Sequence, residues 1–130
     1  MSIQGPFAHW DDVEEWTGTN GGWRGRRLVF AGTWTLHMMV DQGYHWAHSH
    51  PQSQIVWLVS GELRARIGDP ALPDDIKEQV IKPGDLLLIP GGTHHDMTAL
   101  TDLDAWEVRG MEGPDHWEDF SVRVVDGSAN

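Results

Sequence analysis

Residues 43–61 read GYHWAHSHPQSQIVWLVSG, in which a single serine separates His48 from His50. Side chains alternate across a β-strand, so both imidazoles leave the same face, with their roots about 6–7 Å apart. This spacing allows the two rings to bind one ion. Gln54 follows shortly after Pro51, and a turn at the proline would bring its amide oxygen to the same point from the next strand.

A second segment, residues 84–97, reads GDLLLIPGGTHHDM. A buried strand here ends in a Pro-Gly-Gly turn, and the chain then re-emerges with His95. The two segments together offer three imidazoles and one amide oxygen, from His48, His50, His95 and Gln54. Nitrogen-rich sites of this kind suit Zn, Ni, Fe, Mn or Co, so we expect one divalent transition metal ion of unspecified identity.

The composition limits the size of the fold and the class of partner. A chain of 130 residues fits one domain. Its 9 Lys and Arg against 20 Asp and Glu give a formal net charge of -11, which repels phosphate, so nucleic acid is not an expected partner. The absence of cysteine excludes disulfides and thiolate zinc sites. No signal peptide or membrane-spanning run is present, and we expect a soluble, cytoplasmic protein that does not bind membranes.

The chain from residue 26 onward predicts an all-β domain, residues 26–130. Short runs rich in β-branched and aromatic residues alternate with turn residues, without a long helical period between them. So many short strands indicate an antiparallel barrel or sandwich. The predicted strands cover residues 26–30, 33–40, 44–50, 54–59, 62–67, 78–81, 85–89, 95–100, 103–108 and 120–125.

Residues 1–25 have a different character, polar and Gly-rich with three tryptophans, and they predict an N-terminal arm. Residues 11–16, DDVEEW, predict one helical turn with acidic residues at its N-terminal end. An arm with three tryptophans has more apolar surface than an isolated tail should expose, so we expect a homodimer.

The two histidine segments resemble the two signature motifs of the cupin superfamily. The matching residues are Gly43, His48, His50, Gln54 and Gly61 in the first motif, and Gly84, Pro90, Gly92 and His95 in the second. The sequence departs from the pattern in three places: Gly43 is one residue closer to the histidines, Gln54 replaces the common Glu, and Ala99 replaces a common Asn. The resemblance covers about residues 30–108. It implies a double-stranded β-helix, or jelly roll, with a divalent metal inside one end of the barrel.

The resemblance also implies a class of chemistry. The HSHPxxQ segment is similar to that of small cupins such as bacterial polyketide cyclases, a uronate-opening enzyme and manganese-dependent hydroxynitrile lyases, which act on oxygenated small molecules. Neutral Gln54 in place of Glu leaves a divalent site near +2, which favours Lewis-acid chemistry of the lyase, isomerase or cyclase type. A metal-dependent dioxygenase and a non-catalytic cupin that binds a small ligand are the alternatives.

Asp104 is the first candidate for acid–base catalysis. The segment LDAWEV, from Leu103, is similar to the strand that supplies a catalytic Asp and an aromatic residue in the uronate-opening enzyme, and Asp104 and Trp106 occupy the matching positions. The Pro-Pro-Arg that follows in that enzyme is missing here, although Arg109 lies nearby. The substrate of that enzyme is therefore not carried over.

Strand parity supplies two more acid–base candidates and a set of pocket residues. Tyr44 shares a strand face with His48. His37 would join the site if the strand of Trp34 had the opposite register, whereas the usual barrel pattern points Trp34 inward. The same parity predicts which apolar side chains face the ligands. They are Trp46, Val56, Leu58, Met97 and Ala99 and, in the usual register, Leu36 and Met38.

Metal binding by histidine depends on pH. Three imidazoles must be neutral to bind a metal, and an ordinary pKa near 6.5 makes each compete with protons. Stabilisation by the metal should therefore fade as the pH falls through about 6 to 5.

Overall fold

A computed structural model describes residues 6–18 and 21–110 of the chain. These residues form ten β-strands and two short 3-10 helices, Trp10–Asp12 and Pro73–Asp75, and they contain no helix long and apolar enough to cross a membrane. The strands are β1 (Glu15–Thr17), β2 (Trp23–Phe30), β3 (Thr33–Val40), β4 (His45–His48), β5 (Gln54–Ser60), β6 (Leu63–Ile67), β7 (Lys77–Ile81), β8 (Leu87–Ile89), β9 (His95–Ala99) and β10 (Leu103–Gly110).

The strands form two antiparallel sheets around one core. The larger sheet has the order β1-β2-β3-β10-β5-β8, and the smaller has the order β4-β9-β6-β7. Buried residues alternate with more exposed ones along β3, β9 and β10, because successive side chains point to opposite faces of a sheet. The arrangement confirms the predicted all-β jelly roll. The buried apolar core consists of Leu36, Met38, Val40, Val56, Leu58, Leu63, Ala65, Ile81, Leu87, Ile89, Met97, Ala99, Leu103 and Ala105.

Nine of the predicted strands coincide with observed strands, and the tenth, residues 120–125, lies outside the described residues. The strand predicted at 44–50 is shorter than expected. It ends at His48, and the chain bends at Pro51 and Gln52. His50 therefore lies beyond the strand, and the bend contributes to its position.

The N-terminal segment joins the edge of the larger sheet. The helical turn predicted at 11–16 is only partly present, since the first 3-10 helix ends at residue 12 and β1 follows. Arg26 of β2 donates a hydrogen bond to the carbonyl of Val13 at 2.7 Å. This contact holds the segment against β2 just N-terminal to the point where β1 pairs with β2. β2 begins at Trp23 and therefore extends across the predicted boundary between the arm, residues 1–25, and the barrel, residues 26–130. The division into these two parts stays a prediction.

The turn that leads into β9 depends on close backbone contacts of Gly91. Its amide donates to the hydroxyl of Ser53 at 2.8 Å, and the amide of Gly92 donates to the carbonyl of His50 at 2.7 Å. A Cβ on Gly91 would overlap the carbonyl oxygen of Pro51. The contact leaves no room for any other residue at position 91.

We therefore expect Gly91→Ala to lower the free energy of unfolding by about 1–3 kcal/mol, the usual cost of overpacking. Urea denaturation provides the measurement. Gly92→Ala is the matched control, because Gly92 has open space around it and a φ of 81°, so this variant tests backbone strain without a clash. Wild-type stability of Gly91→Ala would contradict the prediction.

Candidate metal centre

Three histidines lie side by side in the barrel. His48, the last residue of β4, is directly opposite His95, the first residue of β9, and His50 follows β4 after one residue. The ring centroids are 4.5 Å apart for His48 and His95, 4.9 Å for His50 and His95, and 5.3 Å for His48 and His50. One nitrogen of each ring lies within 4.8 Å of the other two. Small side-chain rotations would place all three nitrogens on one ion.

Backbone carbonyls fix the tautomers of two of these rings. His50 donates from Nδ1 to the carbonyl of Gln52 at 2.8 Å, and His95 donates from Nδ1 to the carbonyl of Thr93 at 3.1 Å. Each Nε2 is therefore unprotonated and keeps a lone pair. Both Nε2 atoms are buried and lack a hydrogen-bond partner among the described residues. An unpaired buried acceptor costs about 1–3 kcal/mol, and a metal ion would satisfy both atoms.

Gln54, the first residue of β5, is buried in the same region. Its Nε2 lies 3.5 Å from Oε2 of Glu107, a long contact, while its Oε1 has no partner within the described part of the chain. Three imidazole nitrogens and a neutral oxygen are a donor set that suits a first-row divalent metal. The histidine cluster thus has the residues to hold one divalent transition metal ion.

The surroundings keep all three imidazoles neutral. Burial lowers the pKa of His95 from 6.5 to about 4. Burial also lowers the pKa of His48 and of His50, and the positive charge of Arg109 acts in the same direction on all three rings. For His50, the hydrogen bond to the carbonyl of Gln52 partly opposes this shift of the pKa. Near neutral pH the rings are therefore in the form that binds a metal.

A pocket of about 270 Å³ opens beside His48. Its position matches the inward face that strand parity predicts, and most of its surface is aromatic or aliphatic. A larger cavity, about 620 Å³, lies between the N-terminal segment and β2, but none of the three histidines lines it. Of these two cavities, only the smaller one is lined by a histidine of the cluster, His48. Its walls are Trp23, Trp34, Leu36, Met38, Tyr44, Trp46, His48, Glu107 and Arg109.

Glu107 and Arg109 form an ion pair in this pocket that the sequence analysis did not assign to the site. Nε of Arg109 donates to Oε1 of Glu107, and the two side chains are 15% and 6% exposed, respectively. Burial raises the pKa of Glu107 and lowers that of Arg109, and each charge opposes the shift of the other. The signal in the sequence was the parity of β10, because both charged residues share the face of buried Leu103 and Ala105.

His37 and Asp104 lie on the outer face of the larger sheet. Nε2 of His37 is 2.6 Å from Oδ1 of Asp104, and the imidazole stacks on Trp106 with centroids 4.6 Å apart. Leu36 is buried on the opposite face, so β3 has the usual barrel register and not the one that would bring His37 to the ligands. Of the three acid–base candidates, only Tyr44 lines the pocket beside the histidines.

The sequence also matches a known family over the part that contains this site. Residues 34–106 match the profile of the family described as a cupin domain, which is more than half of the chain. The chain belongs to the cupin family. The matched residues include the three histidines of the cluster. No curated protein sequence matches this cupin.

Several solved structures share the fold. A RmlC-like cupin from Shewanella frigidimarina has a TM-score of 0.67 and 20% identity, over 91% of this chain and 98% of that one. The hydroxypropylphosphonic acid epoxidase of S. wedmorenis has a TM-score of 0.66 and 16% identity, over 80% and 58%. The Mn(II) oxalate decarboxylase of Bacillus subtilis has a TM-score of 0.68 and 18% identity, over 82% and 30%. This cupin spans less than two thirds of the two enzymes, and at these identities the similarity concerns the fold alone.

Proposed function

We propose that this cupin is a metal-dependent enzyme that acts on an oxygenated small molecule by Lewis-acid chemistry, as a lyase, isomerase or cyclase does. The observation that carries the proposal is the cluster of three imidazoles whose ligand nitrogens lie within 4.8 Å of one another. Nε2 of His50 and Nε2 of His95 are buried without a partner among the described residues, and His48 lines a largely apolar pocket. Buried polar atoms are normally satisfied, and a cation is a partner that would satisfy a group of acceptors.

The proposed ligands are His48, His50, His95 and Gln54. A divalent ion held by these neutral side chains would keep a charge near +2, and when bound it polarises a ligand carbonyl and acidifies water. The protein contributes fixed tautomers of His50 and His95 and a largely aromatic and aliphatic pocket wall beside His48. Tyr44 and Glu107, which line the pocket, are the proposed groups for proton exchange with the substrate.

Elemental analysis of the purified protein, followed by a screen for oxygen consumption, tests this proposal. We expect about one transition metal ion per chain, bound by the cluster of His48, His50 and His95. We also expect turnover of oxygenated substrates without uptake of oxygen. Protein purified from medium supplemented with Zn, Mn and Fe should contain a metal in each case, and a chain that takes up none of them would refute the proposal.

Two alternatives have observations in their favour. Among the structures with a similar fold is the iron(II) protein HppE, so a metal-dependent dioxygenase is the enzymatic alternative if iron is loaded. The outward position of His37 and Asp104 leaves fewer acid–base groups at the pocket, which favours a non-catalytic cupin that binds a small ligand. Oxygen uptake would support the first alternative, and ligand binding without turnover the second.

A homodimer remains part of the proposal, together with a small-molecule partner and a cytoplasmic location. Apolar side chains of Ile55, Val59 and Leu86 are 41%, 55% and 66% exposed, and a second copy is the proposed occupant of this surface. Sedimentation should give twice the chain mass of 14.6 kDa, about 29 kDa. Val59→Glu with Leu86→Glu should shift the protein to the monomer. A wild-type monomer at micromolar concentration would contradict the prediction.

A further inference from the structure

Arg109 is held rigidly at the edge of the pocket with part of its guanidinium unused. Its Nε donates to Glu107, and its Cζ lies 3.7 Å from the ring centroid of Trp34, so both the plane and the direction of the group are fixed. The two Nη groups have no hydrogen-bond partner among the described residues, nor are they among the fully buried atoms. They form a fork that is open to a ligand, the geometry that binds a carboxylate through two parallel hydrogen bonds.

Trp34 supplies a second unused donor beside this fork. Its Nε1 is buried and has no hydrogen-bond partner in the described part of the chain. A buried N–H normally finds an acceptor, and an unpaired one is costly. The residue lines the pocket together with Arg109, so an unpaired N–H lies close to the guanidinium fork.

A second arginine adds positive charge at the same place. Arg27 lies 5.3 Å from the Trp34 ring centroid, and its charge contributes to the lowered pKa of Arg109. Arg27 and Arg109 also line an adjoining cavity of about 320 Å³, whose described lining contains no acidic residue. The whole chain carries a net charge of -11 and repels anions. An anion therefore needs a local cluster of positive charge, such as Arg27 and Arg109, to bind to this protein.

We infer that the pocket binds a small organic anion whose acidic group, a carboxylate or one of similar shape, bonds to Arg109 while its flat apolar body lies among the aromatic walls. The inference rests on the proposed function, because the same pocket adjoins the metal ligands. Trp23 and Trp46 give the body flat surfaces for contact. The volume of about 270 Å³ limits the ligand to a small molecule, with room for a single ring.

Titration calorimetry with benzoate and with benzamide, its neutral analogue of the same shape, tests the inference. In the wild type we expect benzoate to bind about tenfold tighter or more, as expected for hydrogen bonds to a charged group. Arg109→Gln should reduce this preference to less than about threefold, and Arg27→Gln should reduce it partly. Arg24→Gln, on the same strand as Arg27 but on the outer face, makes the same change of charge and should leave the preference intact.

Because Arg109→Gln leaves Glu107 without its partner, the double variant Glu107→Gln with Arg109→Gln should be measured as well, and it should also lose the preference. Equal binding of the two probes by the wild type, or a preference that survives in both variants, overturns the inference. A chelator separates the two proposals. A preference that requires Arg109 and persists in chelator-treated, folded protein supports the inference even if no metal is found. In the opposite case, the preference for benzoate disappears with chelator but survives Arg109→Gln. The carboxylate then binds the metal, so the inference is overturned and the proposed function remains in place.

Discussion

Replacing His50 and His95 together with alanine is expected to lower the affinity for a divalent metal by more than about 100-fold. Loss of a residue that only orients a metal ligand typically costs about 10- to 100-fold in affinity, so loss of two ligands should cost more. The Nε2 atoms of these two histidines are buried and unpaired, and alanine removes both. Elemental analysis after dialysis should show a fall from about one ion per chain to less than about a tenth.

Two single variants make this result specific. His45→Ala should retain the metal, because His45 is exposed and its Nε2 is paired with Asp96 at 2.8 Å, outside the cluster. Gln54→Glu should also retain it, since a carboxylate oxygen would replace an amide oxygen at the same position. A double alanine variant that still holds a full equivalent of metal, with the fold intact by circular dichroism, would sink the assignment of these ligands.

The sequence predicted the strands and the histidine cluster because both depend on local spacing. Alternation with a period of two identifies β3 and β10, and the spacing of His48, His50 and Gln54 places them near one another once a turn follows Pro51. Local spacing does not show that His95 lies beside the other two histidines. The resemblance of residues 84–97 to the second cupin motif predicted that position. The pairing of His48 with His95 across β4 and β9 then follows from the barrel.

The inner wall of the pocket was only partly predictable, because it depends on contacts between distant strands. Parity placed Trp34 inward and put Glu107 and Arg109 on one face of β10, but nothing local indicated that Arg109 would stack on Trp34 of β3. Asp104 matched a family position by sequence, yet in β10 it alternates with the inward residues and bonds to His37 on the outer face. A residue-by-residue resemblance therefore needs the strand register before it can assign a role.

The N-terminal segment shows the limit of local propensity. Acidic residues at 11–16 favour the start of a helix, but Arg26 bonds to the carbonyl of Val13 and the chain then pairs with β2. A single helical turn gains little without packing, whereas a strand at the edge of an existing sheet gains backbone hydrogen bonds. Tertiary contacts thus decided the structure of these residues.

The pH range over which stabilisation by a metal fades should lie lower than the sequence indicated. The expectation of about 6 to 5 used an ordinary histidine pKa near 6.5. In the folded protein burial lowers the pKa of all three rings, that of His95 to about 4. Protons therefore compete with a metal only at lower pH.

The sign of the effect follows from the proton balance. Above about pH 6.5 His95 is neutral in both the folded and the unfolded chain, and it adds no pH dependence. Between 6.5 and about 4 the unfolded chain binds a proton that the folded, metal-free protein does not, so the free energy of unfolding falls as the pH falls. The loss from His95 alone approaches about 3 kcal/mol below pH 4. His95→Gln should flatten this dependence in metal-free protein.

A bound metal adds to stability on top of this. At a metal concentration about a hundredfold above Kd the gain is about 2.7 kcal/mol, which corresponds to about 10 °C in Tm for a chain of this size. Thermal melts with and without chelator at about pH 7.5, about pH 6 and about pH 5.5 stay above the pI of 4.9, where the protein would precipitate. We expect the chelator to lower Tm at both of the two higher values, because burial lowers the pKa of all three rings, that of His95 to about 4. If the chelator effect is already lost at about pH 6, the rings titrate as exposed histidines do, and if none is seen at about pH 7.5, the histidines do not hold a metal that stabilises the fold.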